Sequence, residues 1–563
     1  MNYLFSSRLH KVCLIAAVAC LFASAAEVSF AQPQSHDAVA GDPMLKAMQA
    51  ELDREKALLV LPGMQRPYFI EYQVDDLNSY EAVATYGALA REEANHQRVA
   101  RVTVRVGDYA VDSSSSRGDG AVALAPSDDN AEALRYALWI ATDTAYKNAL
   151  RAYAAKQAAL KGFQSQQMEH DFAEAKPVTH VAPLVKMDLD RNEWKRRIVE
   201  ASGLFATAPE VRASSAEVQY STANIRAVAV NRYLINTEGT VVRQGYTGYA
   251  AGISVGGQAP DGMRLSRDNG TTAADARDLE TWPVFRKRVI DDIKSLQALR
   301  AAPVVPAEDY HGPVLFSGDA SADVMARLLV PNIEADRPAM GTTARTTGAY
   351  ASSYKSRVLP VMLSVTDDPL MAKFAGKALL GAYAVDDEGV PAQSVDVVVK
   401  GVLDSYLIGR EPIRDFPSSN GHGRSAPGQP ARSKAGVVIV KPNEALPVSE
   451  LNRRLLAMAK EQGRDVYAVE TLSDGLVPRV LYRVHPDGSR ELVRGAVFDE
   501  LDNRALRSDI TAAGNDPYVS NSLGPVPQTI IAPSLLFDDI GVKRAAEAQQ
   551  KLPYYAPPPL DEK

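Results

Sequence analysis

The sequence predicts an α+β protein of more than one domain, because of its length, its composition and the order of its periodic segments. The chain has 563 residues, more than a single hydrophobic core usually serves. Apolar residues make up 46% of the chain and charged residues 23%, as in ordinary globular proteins. Alternating strands and long helices share the first half, and strands dominate the second half. We therefore expect an amino-terminal sheet with long helices, followed by a β-rich carboxy-terminal domain.

Residues 1–31 have the features of a cleavable signal peptide. Arg8 and Lys11 precede an apolar stretch of about 15 residues, shorter than the roughly 20 that a membrane span needs. Small residues at Ala23-Ser24-Ala25 and Ser29-Phe30-Ala31 provide two cleavage sites. No later segment approaches membrane length. We expect a periplasmic or secreted chain with no membrane span in its mature form.

Cleavage of this leader would remove every cysteine, because Cys13 and Cys20 both lie in it. The mature chain would then have no disulfide, no thiolate ligand and no cysteine nucleophile. Cleavage also removes two positive charges and one negative charge, so that the net charge of −7 becomes −8. Nucleic-acid binding needs a concentrated basic face, and no nucleic-acid partner is predicted.

Residues 32–300 are predicted to form an amino-terminal α+β region, with any division into two subdomains near residues 180–190. Asp42-Pro43 has the pattern of an N-cap followed by proline at the first helical position. Further helices are predicted over 130–163, 193–202 and 284–299. Strands are predicted over 66–74, 80–89, 101–109, 217–221, 227–236 and 240–250, with a turn at Thr237-Glu238-Gly239.

Residues 301–563 are predicted to form the β-rich carboxy-terminal domain, after a linker at Ala301–Pro306 that is rich in alanine and proline. Two helices are predicted there, over 320–329 and 448–461. Residues 416–434 are rich in serine, glycine and proline, which predicts a mobile surface loop. The predicted strands cover 312–316, 358–365, 395–403, 435–440, 466–471 and 477–484.

Several stretches of the sequence have the order and spacing of motifs in a known protein family. They are Thr281–Phe285 leading to Ala302-Pro303-Val304, Tyr310–Phe316, Asp386–Ala392 running on to Lys400–Leu403 and Tyr406-Leu407, Ser419–Arg424, and Ala532–Phe537. Together they resemble the TldD/PmbA family of metallopeptidases and inactivated homologues. The resemblance implies that family's α+β fold. It also implies unfolded or extended peptides as ligands, which reach a site enclosed between subunits.

Catalytic members of that family carry H-E-x-x-x-H on a helix after the Gly-Pro-Val-Leu strand, and a later cysteine completes the zinc site. The glutamate can act as general base on the metal-bound water. Aligned without a gap on Ile333-Glu334-Ala335-Asp336, this chain has Ala326 and Pro331 at the histidine positions and Arg327 at the glutamate position. Alanine has no ligand atom, arginine repels a divalent cation and proline ends the helix early. We therefore predict no catalytic residue, no metal site and no cofactor, although members of the family use zinc.

The resemblance is nearer to the PmbA-type member, which also lacks the motif and pairs with a metal-bearing subunit. It implies an exported non-catalytic partner subunit or inactivated homologue that binds extended peptides, as a homo-oligomer or with a catalytic TldD-type relative. Strand addition at an exposed sheet edge would hold such a peptide. The candidate peptide-binding residues are Asn420, Gly421, His422 and Arg424, although a turn with incidental polar residues explains the same pattern.

Two other functions stay open on the sequence. The chain could be an active peptidase, a metallopeptidase by family, that uses another site, or an envelope scaffold without a peptide ligand. A serine hydrolase is disfavoured, because the G-x-S-x-G match at Gly252–Gly256 is not followed by the helix that a nucleophile elbow needs.

Overall fold

The computed structural model describes residues 39–114, 120–162, 169–340, 342–473, 475–546 and 550–553. The predicted signal peptide at residues 1–31 lies outside these ranges. Within them, every helix is too short or too polar to cross a membrane.

The helices agree with most of the predicted ones. Asp42 caps α1, because its carboxylate accepts the N–H groups of Met44 and Leu45 at 2.8 and 3.1 Å. The next helices also begin after capping side chains, those of Asn130 and Asp190. The helices of the described residues are α1 Pro43–Leu58, α2 Ala131–Leu160, α3 Arg191–Thr207, α4 Trp282–Ala301, α5 Gly318–Val324, α6 Val330–Ile333, α7 Val448–Gln462 and α8 Asn503–Ser508.

The amino-terminal half is built on one mainly antiparallel sheet, in the order β3-β2-β1-β5-β6-β4, with β7 paired to β6. Its strands are β1 Pro67–Thr85, β2 Ala88–Val106, β3 Ala121–Ala125, β4 Thr179–Val181, β5 Tyr220–Asn236, β6 Val241–Gln258 and β7 Arg264–Ala273. Tyr72, Val74, Tyr80 and Ala82 of β1 point to one face and are buried there in the cores that also contain residues of α1 to α4. The opposite face is turned toward the carboxy-terminal domain, which contacts it near Asp75.

The first hairpin corrects the prediction of separate strands over 66–74, 80–89 and 101–109. β1 runs without a break to Thr85, turns at Tyr86-Gly87, and returns as β2. The polar stretch after Val74 resembles a turn, but Asp75 is fully buried and accepts a bond from Arg232 of β5 at 2.6 Å. A charged partner on the neighbouring strand therefore keeps these residues in the sheet. The predicted strands 217–221 and 227–236 likewise merge into β5.

The carboxy-terminal half contains two larger sheets, in the orders β13-β12-β9-β16-β24-β23 and β17-β22-β25-β8-β18-β19-β20, with β21 paired to β25. A shared core that includes Phe316, Val438 and Phe537 lies between them. The α+β fold with a β-rich carboxy-terminal domain is confirmed. The strands are β8 Tyr310–Phe316, β9 Leu363–Asp367, β10 Lys373–Phe374, β11 Lys377–Ala378, β12 Val395–Val399, β13 Val402–Leu403, β14 Gly423–Arg424, β15 Arg432–Ser433, β16 Val437–Pro442, β17 Ala445–Leu446, β18 Val466–Ser473, β19 Val477–Val484, β20 Arg490–Val493, β21 Ala496–Asp499, β22 Ile510–Gly514, β23 Tyr518–Ser522, β24 Gln528–Ala532 and β25 Leu535–Arg544.

Candidate functional site

A cleft of about 990 Å³ separates part of the amino-terminal sheet from the carboxy-terminal domain. One wall is formed by β7 and by the side of α4 that carries Arg288 and Asp292, and the other by α5, β19 and β23. A second cavity of about 450 Å³ adjoins it, since Thr272, Asp323 and Ala326 line both. A concave space of this size between domains is a common position for a ligand site.

Two sheet edges border this cleft. β7 is hydrogen-bonded to β6 on one side, and no strand among the described residues pairs with its other side. β23 is the last strand of its sheet and, in the same part of the chain, pairs with β24 alone. The two strands approach each other to within 8 Å between Cα atoms. An edge without a neighbouring strand can receive an extended peptide as an added strand. On β7 the carbonyl oxygens of Asp268 and Gly270 already accept bonds from the side chains of Arg479 and Arg288.

The three positions that the alignment assigns to the family's zinc motif lie just after α5. A π-helical stretch, Met325–Leu329, follows α5 and leads into α6. Ala326 lines both cavities, and Arg327 is exposed and lines the larger one. Pro331 is exposed in the first turn of α6 and is not among the residues that line either cavity. Of the positions that the alignment assigns to the motif, Ala326 and Arg327 therefore line the cleft.

Two buried charged groups in the cleft wall are incompletely paired. Arg267 of β7 is 4% exposed and Asp292 of α4 is 8% exposed. Among the described residues, neither Nη2 of Arg267 nor Oδ2 of Asp292 has a hydrogen-bond partner. Burial lowers the pKa of Arg267 and raises the pKa of Asp292 to about 6. Buried polar atoms without partners are rare and costly in folded proteins, so this wall is a candidate contact surface for a polar ligand.

The structure places the four candidate peptide-binding residues in the junction between the two halves, away from the cleft lining: Asn420, Gly421, His422 and Arg424. The His422 ring is fully buried, with Nδ1 3.0 Å from the carbonyl oxygen of Asn420 and Nε2 3.3 Å from the Asp367 carboxylate. The Arg424 guanidinium lies 4.0 Å from the ring centre of Tyr383. Peptide contact by these four residues stays a prediction, and the contacts that the structure does show are internal.

The prediction of a mobile surface loop over residues 416–434 is wrong for its middle part, because residues 421–425 are buried. The N–H of Gly423 donates to Asp386 at 2.9 Å, and the N–H of Ser425 donates to Asp387 at 2.7 Å. Composition predicts that such a segment forms turns, but not that carboxylates elsewhere in the chain bind its backbone.

The same junction contains a buried ion cluster. Arg232 of β5 donates to Asp75 at 2.6 Å, contacts the carboxylate of Asp387, and donates to the carbonyl oxygen of Ser425 at 3.2 Å. Burial alone would raise the pKa of Asp387, but Arg232 and Arg424 hold it below its ordinary value. Charges from β1, β5 and the carboxy-terminal domain are thereby paired where the two halves meet.

Sequence reasoning missed the wall of the cleft. No strand is predicted over 264–273, because aspartate, asparagine and glycine in Asp268-Asn269-Gly270 are unfavourable in strands. The polar run itself could have indicated a strand that borders a cleft instead of a core, because that is where β7 lies. Ser254, the serine of the G-x-S-x-G match, lies inside β6 and donates to Asp268, so it occupies no strand-to-helix elbow.

Comparison with known proteins agrees with this architecture. Residues 309–544 match the family model described as the PmbA/TldA metallopeptidase C-terminal domain. Residues 309–544 of this chain therefore belong to the TldD/PmbA family. The resemblance inferred from the sequence is thus confirmed, and the matched segment includes α5, Ala326 and one wall of the cleft. No curated protein sequence matches the chain significantly.

Solved structures share this TldD/PmbA fold over most of the chain. TldE from Thermococcus kodakarensis is similar with a TM-score of 0.57 and 14% identity, over 88% of this chain and 99% of that one. A Thermotoga maritima protein proposed to be a modulator of a DNA gyrase is similar with a TM-score of 0.57 and 17% identity, over 88% of this chain and 99% of that one. A Bacteroides thetaiotaomicron protein with the same proposed role is similar with a TM-score of 0.56 and 11% identity, over 89% of this chain and 98% of that one. At these identities the similarity shows the fold alone.

Proposed function

We propose that this TldD/PmbA-family chain is an exported protein that holds extended peptides in the cleft and does not cut them at a zinc site of the family type. One observation carries the proposal. Among the described residues, two sheet edges that pair with no further strand border a cleft of about 990 Å³, which Ala326 and Arg327 also line.

Strand addition suits the chemistry of this cleft. An added strand lies about 4.8 Å from the edge that it joins, and its backbone supplies most of the hydrogen bonds. Polar side chains line the bordering edges, among them Thr272 of β7 and Ser520 and Asn521 of β23. Such a lining supports binding through the peptide backbone with modest selection among side chains. This fits a protein that handles unfolded or extended peptides.

The residues at the cleft do not fit the zinc ion that members of the family use. Structural and catalytic zinc sites take three or four ligands from histidine, cysteine and carboxylate groups. Ala326 has no donor atom, and the guanidinium of Arg327 would repel the ion. Across the described residues, no group of three or more His, Cys, Asp and Glu side chains is arranged to hold a metal. These facts support a non-catalytic role, and no reaction step through zinc is derived.

We further infer that the chain works in the periplasm or after secretion, and that it assembles with itself or with a metal-bearing relative. The charge pattern and cleavage sites of residues 1–31 support export. The loss of zinc ligands in the pattern of PmbA-type members supports a partner that carries the metal. An active peptidase with another site and a scaffold without a peptide ligand are the alternatives to test.

The test is binding of a fluorescein-labelled, unstructured peptide to the mature chain, followed by fluorescence anisotropy. Thr272→Trp fills the cleft at the point where the two cavities meet, and we expect at least tenfold weaker binding. The matched control is Val477→Trp, because Val477 is 36% exposed at the start of β19 and does not line the cleft. A peptide with alternate amides N-methylated should also bind weakly, since it cannot complete a strand ladder.

Each alternative gives a different result in that experiment. Peptide fragments in the mass spectrum after incubation would establish an active peptidase and overturn the non-catalytic role. No binding of any peptide would favour the scaffold. Equal binding by wild type and Thr272→Trp would place the peptide site elsewhere.

A further inference from the structure

Two neighbouring arginines in the cleft wall have guanidinium N–H groups without an acceptor. Arg267 of β7 donates from Nε to Ser295 at 2.7 Å and from Nη1 to the carbonyl oxygen of Arg479 at 2.6 Å, whereas its Nη2 has no partner. Arg479 of β19 donates from Nη1 to the carbonyl oxygen of Asp268 at 3.1 Å, whereas its Nε has no partner. The absence of a partner for these two nitrogen atoms is stated for the described residues. One hydrogen bond therefore joins the two residues, and each keeps a donor unused.

Nearby carboxylates do not satisfy these donors. The closest is Asp268, whose Oδ2 is 3.7 Å from Nη2 of Arg479. Its two oxygens already accept bonds from the hydroxyl groups of Ser254 and Ser266. Asp292 accepts a bond from Asn269 at 3.4 Å, and in the described part of the chain it forms no ion pair with either arginine.

An arginine that is 4% exposed and forms no ion pair within the described residues is costly, because a buried charge loses its hydration. Arg267 cannot move easily, since bonds to Ser295 and to the Arg479 carbonyl hold it between the two halves of the chain. The Arg479 side chain is 28% exposed, so it is less enclosed than that of Arg267. The pair thus combines a fixed donor with an adjustable one, at a place where both residues line the cleft.

We propose that Arg267 and Arg479 form a carboxylate subsite of the peptide cleft. One carboxylate oxygen of the ligand accepts from Nη2 of Arg267, and the other accepts from Nε of Arg479 after that side chain turns toward the cleft. Charge-assisted bonds from two guanidinium groups are short and strong, and they orient the group that they bind. This inference rests on the proposed peptide binding and adds a chemical preference to it, namely for peptides with a free carboxyl terminus or an acidic side chain.

The experiment compares four fluorescein-labelled versions of one extended peptide, with glutamate or glutamine inside and an acid or an amide at the carboxyl terminus. Binding to the mature wild-type chain is measured by anisotropy at low salt. We expect at least one carboxylate to improve binding about tenfold over the neutral peptide. Preference for the acid terminus identifies the terminal carboxylate as the ligand group, and preference for glutamate identifies a side chain.

Protein variants test whether the preference for a carboxylate depends on Arg479. Arg479→Met keeps the backbone carbonyl that Arg267 binds, and it should abolish the preference, so that the acidic and neutral peptides bind with equal affinity. The matched control is Arg483→Met on the same strand, since Arg483 pairs with Glu491 and Asp465 and does not line the cleft. Arg483→Met should retain the tenfold preference.

The outcomes separate this inference from the proposed function. Equal affinity for all four peptides would overturn the carboxylate subsite and leave peptide binding in place. A preference that persists in Arg479→Met would also overturn the subsite. Absence of binding by every peptide would overturn both proposals. Because the peptide comparison uses the wild-type chain, it does not depend on how well a variant folds.

Discussion

The junction and the cleft both contain arginines beside aspartates, and among the described residues the closest of these contacts are in the junction. In the junction, Arg232 contacts Asp75 and Asp387 and also the carbonyl oxygen of Ser425. In the cleft, Arg267 donates to neutral oxygens, and Asp292 accepts a bond from Asn269, its one hydrogen-bond partner among the described residues. The two regions are comparable in burial, since Arg232 is 8% exposed and Arg267 is 4% exposed.

The difference separates a structural role from a binding role. Bringing charges into a protein interior is costly, and close opposite charges with further hydrogen bonds offset that cost. The junction meets this requirement and fixes the carboxy-terminal domain against the amino-terminal sheet. The cleft does not meet it within the described residues. Its donors and acceptor therefore keep their capacity for a ligand.

The largest expected effect comes from breaking the paired cluster. Arg232→Met removes the cation that contacts both Asp75 and Asp387 and leaves only Arg424 beside Asp387, so we expect it to lower the free energy of unfolding by about 3–5 kcal/mol. Urea denaturation followed by circular dichroism measures the change. Arg226→Met is the matched control, because Arg226 is exposed on the same strand and should change the value by less than about 0.5 kcal/mol. A loss below about 1 kcal/mol in Arg232→Met would show that the cluster does not hold the junction.

In the cleft, by contrast, replacing a buried charged residue is expected to increase the free energy of unfolding. Burial raises the pKa of Asp292 from its ordinary value of 3.8 to about 6, so the folded chain binds this proton more tightly than the unfolded chain. The destabilisation that the buried, charged carboxylate causes is therefore fully present above pH 6, and it disappears as the pH falls toward 4. We expect Asp292→Asn to increase the free energy of unfolding by about 1–3 kcal/mol at pH 8 and by little at pH 4.

Urea denaturation at pH 8, 6 and 4 measures this dependence. The neighbouring Asp291 is 53% exposed and paired with Lys287, so Asp291→Asn should show no comparable gain at any of these values. A stability that is lower in Asp292→Asn than in wild type at pH 8 would mean that Asp292 is a needed ionic partner in the free chain.

The smallest effect concerns the loop that covers the junction. The hydroxyl of Tyr383 donates to the carbonyl oxygen of Gly421 at 2.8 Å, and its ring supports Arg424. Tyr383→Phe removes only the hydrogen bond, and we expect a loss of about 1 kcal/mol in the free energy of unfolding. Tyr220→Phe is the control, because Tyr220 is 37% exposed. An unchanged stability in Tyr383→Phe would indicate that the loop is held by its carboxylate contacts alone.

Local sequence patterns were sufficient to predict most helices and the fold class. Features that depend on neighbouring residues were predicted correctly. The structure contains the Asp42-Pro43 cap, the helix over residues 284–299 and the turn at Thr237-Glu238-Gly239. The alignment that assigned Ala326 to a metal position also used local spacing. The structure places this residue on the cleft.

Long-range partners explain what the sequence could not predict. Asp75 lies in a continuous strand because Arg232 neutralises it from a strand far along the chain. Residues 421–425 are buried because Asp386 and Asp387 bind their backbone. The cleft depends on which edges of two separate sheets face each other, and no periodicity encodes that arrangement. For the same reason, the unpaired donors of Arg267 and Arg479 became visible only in the structure.

The central claim is that this TldD/PmbA-family chain binds extended peptide without a metal. The most direct measurement is calorimetric titration of one peptide into the mature chain, after treatment with a chelator and after addition of equimolar zinc, with mass spectrometry of the recovered peptide. We predict the same dissociation constant in both conditions and an intact peptide. Loss of binding after chelation, or cleavage when zinc is present, would contradict the account.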